Sequence, residues 1–144
     1  MQVKFKKLHP DAITPTKATD GSAGFDLYVT AYAIDEKNNN KETYFTDISI
    51  EIPKGYVGLL CPRSSLCKGR PGRFPRMINS IGVIDSDYRG ELRMVFENKG
   101  KMLYDKGDRC GQLVIVPCPE IELIESDELS TTERGTGGFG STGI

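Results

Sequence analysis

Short apolar stretches with a period of two dominate this sequence and limit what it can fold into. In the segment 43–52, apolar side chains of the second half alternate with polar ones, as in a half-buried strand. These apolar residues are Phe45, Ile48, Ile50 and Ile52. Similar stretches, bounded by Gly, Pro, Asp or Asn, are 25–30, 56–61, 77–84, 92–97 and 112–117. Many short strands at close spacing predict an all-β fold, a sandwich, jelly roll or barrel.

Glycine and proline support this prediction and exclude a helix bundle. Sixteen glycines and eight prolines make up one position in six, and both residues destabilise helix interiors. A chain of 144 residues predicts one domain, residues 1–144, that folds without a disulfide or metal staple. We expect a β core over 1–132. The segment 133–144 holds five glycines and no packing pattern, so we expect it to be a mobile tail.

Charge and hydropathy exclude several classes of partner. The net charge of −1 gives no whole-chain basis for nucleic-acid binding. No apolar run approaches the ~20 residues that span a bilayer, so we expect no membrane partner. The first ten residues lack the apolar core of a signal peptide. We therefore expect a protein that is not secreted, located in the cytoplasm, or in the nucleus or host-cell interior if its source is eukaryotic or viral.

Cysteine and histidine limit the chemistry further. The four cysteines, Cys61, Cys67, Cys110 and Cys118, show no Cys-x-x-Cys spacing and no neighbouring histidine. A thiolate metal site is therefore disfavoured, and we expect reduced, packed thiols. The single histidine, His9, lies near the N-terminus, where we expect a surface position rather than a catalytic one.

The segment 134–143, RGTGGFGSTG, has two interpretations. One is a flexible tail. The other is a lid over a nucleotide, because glycine N–H groups can converge on an anion and Arg134 supplies a bidentate charged fork. In that case Ser141 and Thr142 add hydroxyl donors, and Phe139 offers a face on which a base can stack.

The segment 79–91, NSIGVIDSDYRGE, also has two interpretations. A carboxylate at the end of a strand, such as Asp85, can hold and deprotonate a water molecule. Alternatively, the residues after the strand form an Asx-type hairpin turn, in which case the carboxylates of Asp85 and Asp87 diverge.

The segment 62–66, PRSSL, follows an expected buried strand. It places Arg63, Ser64 and Ser65 at the start of a possible helical turn, where hydroxyl and free N–H groups can hold an anion. An ordinary helix N-cap explains the same residues.

Taken together, these segments resemble the five ordered motifs of the homotrimeric dUTP diphosphatases (dUTPases). The five are AGFDLY at 23–28, PRSSL at 62–66, NSIGVIDSDYRGE at 79–91, GDRCGQL at 107–113 and RGTGGFGSTG at 134–143. The resemblance covers nearly the whole chain. It implies a β jelly-roll homotrimer with three active sites at subunit interfaces. The second and fourth motifs would come from one subunit, the third from a neighbour and the fifth, as a mobile lid, from the third subunit.

The resemblance implies hydrolysis of dUTP to dUMP and pyrophosphate, which limits uracil incorporation into DNA and supplies dUMP for thymidylate synthesis. Asp85 matches the catalytic carboxylate that deprotonates the water attacking the α-phosphorus. Mg²⁺ would bridge the triphosphate and keep several waters, with Asp26 as an outer-shell contact.

The remaining roles are also implied by motif position. Tyr88 would pack on the sugar and exclude a 2′-hydroxyl, Asn79 would read the uracil edge, and Phe139 would stack on uracil. The backbone of 79–85 would reject thymine by crowding its 5-position. The α- and β-phosphate contacts would be Arg63, Ser64, Ser65 and Gln112. The tail contacts would be Arg134, Gly140, Ser141 and Thr142, with the γ-phosphate held by Arg134, Ser141 and Thr142.

Four features depart from the family pattern or fall outside it. The fourth motif has Gly111 where alanine is common, which we expect to loosen the strand. The basic loop 68–76 is expected to be a solvated loop, with contact to a phosphate or a partner as the alternative, and the polar insert 35–42 is expected to be a hairpin tip. Arg109 is expected to form a structural ion pair.

Three alternatives differ in class. A dCTP deaminase has a related fold, but Val95 stands where its Glu base would align, and that family lacks the Gly-rich ending. A regulatory protein could use the nucleotide only as a switch, which absence of turnover would reveal. RNA binding through the loop 68–76 predicts steep salt dependence, and the near-neutral charge disfavours it.

Overall fold

The computed structural model describes residues 1–35, 37, 41–68, 75–97 and 102–138, and these form two antiparallel β-sheets. The strands are β1 Lys4–Lys7, β2 Phe25–Tyr28, β3 Ala31–Asp35, β4 Lys41–Glu51, β5 Tyr56–Cys61, β6 Arg76–Met77, β7 Gly82–Ile84, β8 Glu91–Glu97 and β9 Arg109–Pro117. One sheet has the order β1-β4-β8-β6, with β3 also paired to β4, and the other has the order β2-β9-β5-β7. The predicted all-β fold is confirmed.

The longest strand, β4, shows the alternation that predicted it. Its even-numbered residues from Glu42 onward face the core and are buried. Phe45 is on the opposite face, where the Arg93 guanidinium lies 4.9 Å from its ring centroid. Pairing with β8 shifts register between Phe45 and Ser49, and Asp47 there has a left-handed φ of 51°. The expected inward orientation of Phe45 is therefore wrong, because its odd position places it on the outer face.

The core lies between the sheets. Its fully buried members are Leu27, Val29, Tyr44, Thr46, Ile48, Ile52, Leu92, Met94, Phe96, Cys110 and Leu113. Tyr44, Phe96 and Tyr104 pack edge to face, with ring centroids 5.2 to 6.0 Å apart. The Tyr44 hydroxyl donates to Glu42 Oε2 at 2.5 Å and accepts from the Leu103 amide at 3.0 Å, so this buried polar group is satisfied.

The predicted strands differ from the observed ones at several points. The segment 56–61 matches β5, but 77–84 divides into β6 and β7 because Ser80, with a φ of 58°, turns the chain between them. β1 and β3 were not predicted. The expected hairpin at 35–42 is supported by the pairing of Asp35 with Lys41, although residues 36 and 38–40 lie outside the described chain. In the basic loop, so do residues 69–74.

The short 3-10 helix Ser64–Lys68 confirms the helical turn expected after Pro62. In the part of the chain that the structure describes, no helix has the length and apolar character needed to cross a bilayer. All four cysteines are free. Cys110 is buried, as expected, but Cys67 and Cys118 are exposed. The expectation of packed thiols is wrong for these two, because the 3-10 helix buries none of its residues and Cys118 lies beyond the end of β9.

The last strand ends at Pro117, and residues 118–136 are exposed. Four large apolar side chains of this segment are 74% to 94% exposed; they are Ile121, Leu123, Ile124 and Leu129. The expected core boundary at residue 132 falls inside this exposed segment. In the single chain these four apolar side chains are therefore exposed to water.

Candidate active site

The first cluster of predicted site residues lies across three neighbouring strands of the second sheet. In the register, Asp26 of β2 is paired with Gln112 of β9, and Gln112 is paired in turn with Cys61 of β5. Arg63 lies two residues beyond the end of β5, and its side chain reaches Asp26. The first, second and fourth sequence motifs therefore meet at one end of this sheet.

Asp26 bridges two guanidinium groups in this cluster. Its Oδ1 accepts from Arg63 Nε at 3.0 Å, and its Oδ2 accepts from Arg109 Nη1 at 3.1 Å. The Asp26 side chain is only 11% exposed, so burial strengthens these charge-assisted bonds. The ion pair expected for Arg109 is present. Its partner, Asp26, was not predicted, because the two residues are 83 positions apart in the chain.

A glycine of the first motif provides room for the Gln112 side chain. A Cβ placed on Gly24 would lie 2.9 Å from Gln112 Oε1 and 3.2 Å from a methyl group of Val114. Both distances are below an ordinary contact, so the amide lies directly against the glycine. No sequence argument assigned a role to Gly24. The glycine next to the motif's apolar residues was the available signal, since such glycines often mark close approach.

Ser64 and Ser65 begin the 3-10 helix and are both exposed. The Leu66 amide donates to the Arg63 carbonyl at 2.9 Å, which closes the turn. The turn keeps the two serines directly after Arg63, at the end of β5. Their hydroxyl groups are therefore accessible to an anion beside the Asp26–Arg63 pair.

Asn79 lies in the tight turn between β6 and β7. The Ser80 amide donates to the Met77 carbonyl at 3.0 Å, and the Ile81 amide donates to the Asn79 carbonyl at 2.5 Å. The left-handed φ of Ser80 belongs to this turn. Asn79 Nδ2 lies 3.4 Å from the position that a Cβ on Gly82 would take. The turn therefore presents an exposed amide at the start of β7.

Asp85 follows β7 directly and is exposed. The Tyr88 amide donates to the Asp85 carbonyl at 3.2 Å, so residues 85–88 form a turn. The two interpretations of this segment are thus compatible, because the turn is made by the backbone while the Asp85 side chain faces solvent. A carboxylate in that position is free to hold water.

Tyr88 folds back over the end of this turn. Its hydroxyl donates to the Glu91 carbonyl at 3.1 Å, and its ring lies against Gly90. Tyr88 remains 42% exposed. One face of the Tyr88 ring is therefore accessible in the turn that also carries Asp85.

Side-chain bonds fasten the same turn to the opposite sheet. Glu91 Oε1 accepts from the amides of Thr46 at 3.1 Å and Asp47 at 2.8 Å. Ser49 Oγ donates to the Arg89 carbonyl at 2.7 Å. These bonds use the irregular part of β4 around Asp47, and they fix the turn that carries Asp85 to a rigid strand.

The two clusters lie at opposite ends of the β5–β7 pair. Leu60 is paired with Gly82 and Gly58 with Ile84, so the chain reaches Arg63 in one direction and Asp85 in the other. Gly58 and Cys61 are three residues apart, about 10 Å at ~3.3 Å per residue. Asp85 and Arg63 lie beyond those limits on opposite sides. Within one chain the structure does not bring Asp85 together with Arg63, Ser64 and Ser65.

The C-terminal contacts are only partly described. Arg134 is exposed, and its Nε donates to the Gly137 carbonyl at 2.9 Å. The Gly135 amide donates to the Thr132 carbonyl at 3.1 Å, and Gly135 has a left-handed φ of 48°. The predicted contacts Phe139, Gly140, Ser141 and Thr142 lie outside the described residues.

Cys110 follows Arg109 of the charged cluster in the sequence, but its thiol is unreactive. Its side chain is fully buried, and Sγ donates to the Leu27 carbonyl at 3.6 Å. Burial raises the pKa of the Cys110 thiol to about 12. At neutral pH the thiol is protonated, so it is not a nucleophile.

Gly111, the departure from the family pattern, is packed rather than loose. It is paired with Leu27 in the β2–β9 ladder, and a Cβ there would clash with Met94 Cε and lie 2.9 Å from Met94 Sδ. Met94 is fully buried. The methionine therefore fills the space that an alanine at this position would take.

The described residues contain no group of three or more His, Cys, Asp or Glu side chains placed to share a metal ion. Asp26 is the predicted metal contact, and both of its carboxylate oxygens accept bonds from arginines. This donor set does not fit an ion caged by protein ligands.

An exposed carboxylate in a fixed turn and a separate group of arginine and hydroxyl donors are the parts that hydrolysis of a nucleotide phosphate requires. The two-sheet fold and this division of the site are compatible with a β-rich nucleotide hydrolase. A dUTPase family model matches residues 11–143. The chain belongs to the dUTPase family, which confirms the resemblance seen in the sequence motifs.

Individual relatives are similar over the full chain. A deoxyuridine 5'-triphosphate nucleotidohydrolase of Hydrogenobaculum sp. is 39% identical over 100% of this chain and 99% of its own length. The human mitochondrial enzyme of the same name is 41% identical over 99% of this chain and 55% of its own length.

Solved structures show the same fold. The dUTPase of Staphylococcus bacteriophage 80alpha with dUpNHpp has a TM-score of 0.80 and 28% identity, and 99% of each chain is covered. The dUTPase of phage phi11 of S. aureus has a TM-score of 0.71 and 25% identity, covering 89% of this chain and 98% of that one. That structure is described as revealing the coordination of a structural Mg(II) ion.

Proposed function

We propose that this chain hydrolyses dUTP to dUMP and pyrophosphate, with Asp85 as the general base. Membership of the dUTPase family gives the reaction. The observation that carries the residue assignment is the exposed carboxylate of Asp85 at the end of β7, in a turn fastened to β4. The reaction removes dUTP, which limits uracil incorporation into DNA, and supplies dUMP for thymidylate synthesis.

In this proposal Asp85 accepts a proton from a water molecule as the water oxygen attacks the α-phosphorus. A new P–O bond forms there, the bond to the β-phosphate bridging oxygen breaks, and pyrophosphate leaves. General-base assistance of this kind is worth ~10²–10⁴-fold in rate. The remaining acceleration comes from positioning and charge stabilisation of the phosphates.

The α- and β-phosphates would be bound by the cluster at the end of β5. Arg63 supplies charge and a donor fork, and the exposed hydroxyls of Ser64 and Ser65 supply two further donors. Gln112 lies in the same row of the sheet. Asp26 fixes the Arg63 side chain at 3.0 Å, so the cation need not be ordered by the substrate, which lowers the entropic cost of binding.

The nucleoside would be read by the residues that flank β7. The exposed Asn79 amide would bond the uracil edge, while the backbone of 79–85 excludes a 5-methyl group by contact. Tyr88, held open at 42% exposure, would pack on the deoxyribose and leave no room for a 2′-hydroxyl. A steric clash with the wrong substrate adds selection that favourable contacts with the right one do not provide.

The C-terminal tail 133–144 would close over the bound nucleotide as a lid. Arg134 is exposed and would turn to the γ-phosphate with Ser141 and Thr142, while Phe139 would stack on uracil and Gly140 would allow close backbone approach. Ordering of the tail would be coupled to binding.

Mg²⁺ would be carried by the triphosphate oxygens and by water, with Asp26 in its outer shell. When bound, the ion neutralises phosphate charge.

The active enzyme would be a homotrimer with sites between subunits. Two features support this. Asp85 and Arg63 lie at opposite ends of the β5–β7 pair, so one α-phosphate can meet both only across two copies. The apolar side chains of 121–129 are also exposed in the single chain and need a partner surface. Sedimentation velocity would show a trimer, and a monomer at assay concentration would contradict the proposal.

We also propose a location inside the cell, in the cytoplasm, or in the nucleus or host-cell interior for a eukaryotic or viral source. All four cysteines are free, and two are exposed, a state that reducing compartments favour.

Pyrophosphate release from dUTP, UTP, dTTP and dCTP, with and without Mg²⁺, tests the function. We expect dUTP to be hydrolysed with a much higher kcat/KM than the other three nucleotides, and a loss of at least ~10²-fold in kcat for Asp85→Asn. Asp87→Asn is the matched control, because Asp87 is an exposed carboxylate in the same turn. Equal turnover in the wild type, Asp85→Asn and Asp87→Asn would refute the catalytic assignment. Ammonia release from dCTP would instead identify a deaminase.

A further inference from the structure

We infer that Gly90 is a positioning residue for sugar discrimination, because its lack of a side chain gives the Tyr88 ring its place beside Asp85. The inference rests on the proposed contact between Tyr88 and the deoxyribose. It adds a residue that touches no substrate itself and acts only through Tyr88.

The geometry around Gly90 is unusually close. A Cβ on Gly90 would lie 2.8 Å from Tyr88 Cε2, and closer still to Cζ and the hydroxyl oxygen. Ordinary contacts of a Cβ begin near 3.4 Å. Any side chain at position 90 therefore displaces the ring, by more than half an ångström at Cε2 and by more at the hydroxyl.

The conflict involves the ring and not the Gly90 backbone. The described glycines with left-handed φ are Gly55, Gly107 and Gly135. Gly90 is not among them, so an alanine could adopt its backbone conformation without strain. An alanine at this position tests the Tyr88 contact alone.

The rest of the turn cannot move to relieve the conflict. The Tyr88 hydroxyl donates to the Glu91 carbonyl, and the Glu91 carboxylate accepts from the backbone amides of Thr46 and Asp47. The Arg89 carbonyl is bonded to Ser49. With its backbone held on both sides of Gly90, the turn is fixed, and Tyr88 is the group that yields because it is 42% exposed.

A displaced ring no longer contacts the sugar closely enough to distinguish a hydrogen from a hydroxyl group at the 2′-position. Misplacement of a positioning group by ~1 Å can cost on the order of 10²-fold in rate. We therefore expect Gly90→Ala to lower the ratio of kcat/KM for dUTP to that for UTP by at least about tenfold. A merely structural role would lower both values together and leave the ratio unchanged.

The experiment measures kcat/KM for dUTP and UTP in the wild type, Gly90→Ala and Gly21→Ala. Gly21 is the matched control, because a Cβ there would have no neighbour within 4 Å and its φ is not left-handed. We expect Gly21→Ala to keep the wild-type ratio. A ratio for Gly90→Ala within about twofold of the wild type would overturn the inference.

Two further variants test whether Gly90 acts through Tyr88. Tyr88→Ala is expected to lower the ratio, and adding Gly90→Ala to it is expected to change the ratio no further, since a residue that acts through another is not additive with it. A further drop in the double variant would contradict the inference. If Gly90→Ala alone fails to fold, the double variant is expected to restore folding by removing the ring, and its failure to do so would also refute the proposal.

These outcomes separate the inference from the proposed function. If the wild type hydrolyses dUTP and Tyr88→Ala lowers the ratio while Gly90→Ala does not, only the role of Gly90 is wrong. If Tyr88→Ala leaves the ratio unchanged, both the sugar contact and the role of Gly90 fall, while catalysis by Asp85 stands. If the wild type has no dUTP turnover, the proposed function and the inference both fail.

Discussion

Asp26 gives the sharpest test of how this site is held together, because one carboxylate pairs with two arginines. Its oxygens accept bonds of 3.0 Å from Arg63 and 3.1 Å from Arg109. Asp26→Asn keeps the shape of the side chain but removes its charge. It also replaces one acceptor oxygen with an NH₂ group, which faces a guanidinium donor. One bond is lost and the other loses its ionic partner.

The size of the effect follows from burial. Hydrogen bonds to charged groups contribute ~1.5–3 kcal/mol each when buried. The Asp26 side chain is 11% exposed and Arg63 25% exposed, so this pair keeps most of that value, while Arg109 is 44% exposed and partly screened. We expect Asp26→Asn to lower the free energy of unfolding by ~2–4 kcal/mol. At ~2–4 °C per kcal/mol for a chain of this size, the Tm falls by roughly 5–15 °C.

The assay is thermal unfolding at one fixed protein concentration, followed by circular dichroism, with Asp11→Asn as the matched control. Asp11 also forms a 3.0 Å ion pair, with Lys106, but its side chain and that of Lys106 are 55% and 63% exposed. Lys106 lowers the pKa of Asp11, yet water screens this pair, so we expect little change in Tm. Equal shifts in the two variants would refute the argument from burial. Asp26→Asn should also raise the KM for dUTP, because Arg63 loses its fixed position.

Two further predictions concern alkaline stability and the shared site. Burial raises the pKa of the Cys110 thiol to about 12, above the unfolded value of ~8.5. Because the thiol ionises first in the unfolded chain, its contribution to the free energy of unfolding is fully present only below about pH 9. This contribution is lost as the pH rises toward 12. Urea unfolding from pH 8 to 11 gives the slope of the unfolding free energy against pH, and this slope should be shallower in Cys110→Ala than in the wild type. The variant Cys118→Ala, at an exposed cysteine, should keep the wild-type slope. Equal slopes in all three proteins would contradict the prediction. The inactive variants Asp85→Asn and Arg63→Ala can be refolded together at 1:1. If each site takes the two residues from different subunits, random assembly should restore about a quarter of the wild-type dUTP turnover. No recovery of turnover would mean that one chain supplies both residues.

The sequence predicted the buried strands well and the edge strands poorly. β5, β8 and β9 have apolar patterns that burial requires, so they could be found from periodicity. β1, Lys4–Lys7, is exposed along its whole length, and β3, Ala31–Asp35, nearly so. Both exist because β4 offers unpaired backbone groups on one edge. Such strands carry little hydrophobic signal, since pairing rather than burial stabilises them.

Contacts between site residues that are far apart in the chain could not be predicted from the sequence. Motif order predicted roles for Asp85 and Arg63, but not the ion pairs of Asp26 with arginines 37 and 83 positions further along the chain. The division of 77–84 into two strands depends on the left-handed φ of Ser80. A serine within an apolar run does not predict such a φ. The contact of Tyr88 with Gly90 depends on a rotamer, and no sequence pattern specifies one.

The register of β5 and β7 connects the fold to the chemistry. Because the two strands are antiparallel, extending either one moves Arg63 and Asp85 further apart, and no change of loop length within the chain brings them together. The base must reach the water at the α-phosphorus, and the phosphate donors must reach the oxygens on the same atom, both within hydrogen-bond distance. In the proposed mechanism, a chain with this pairing meets both requirements by presenting each group to a different copy of itself. Catalysis would then depend on subunit association as directly as on Asp85.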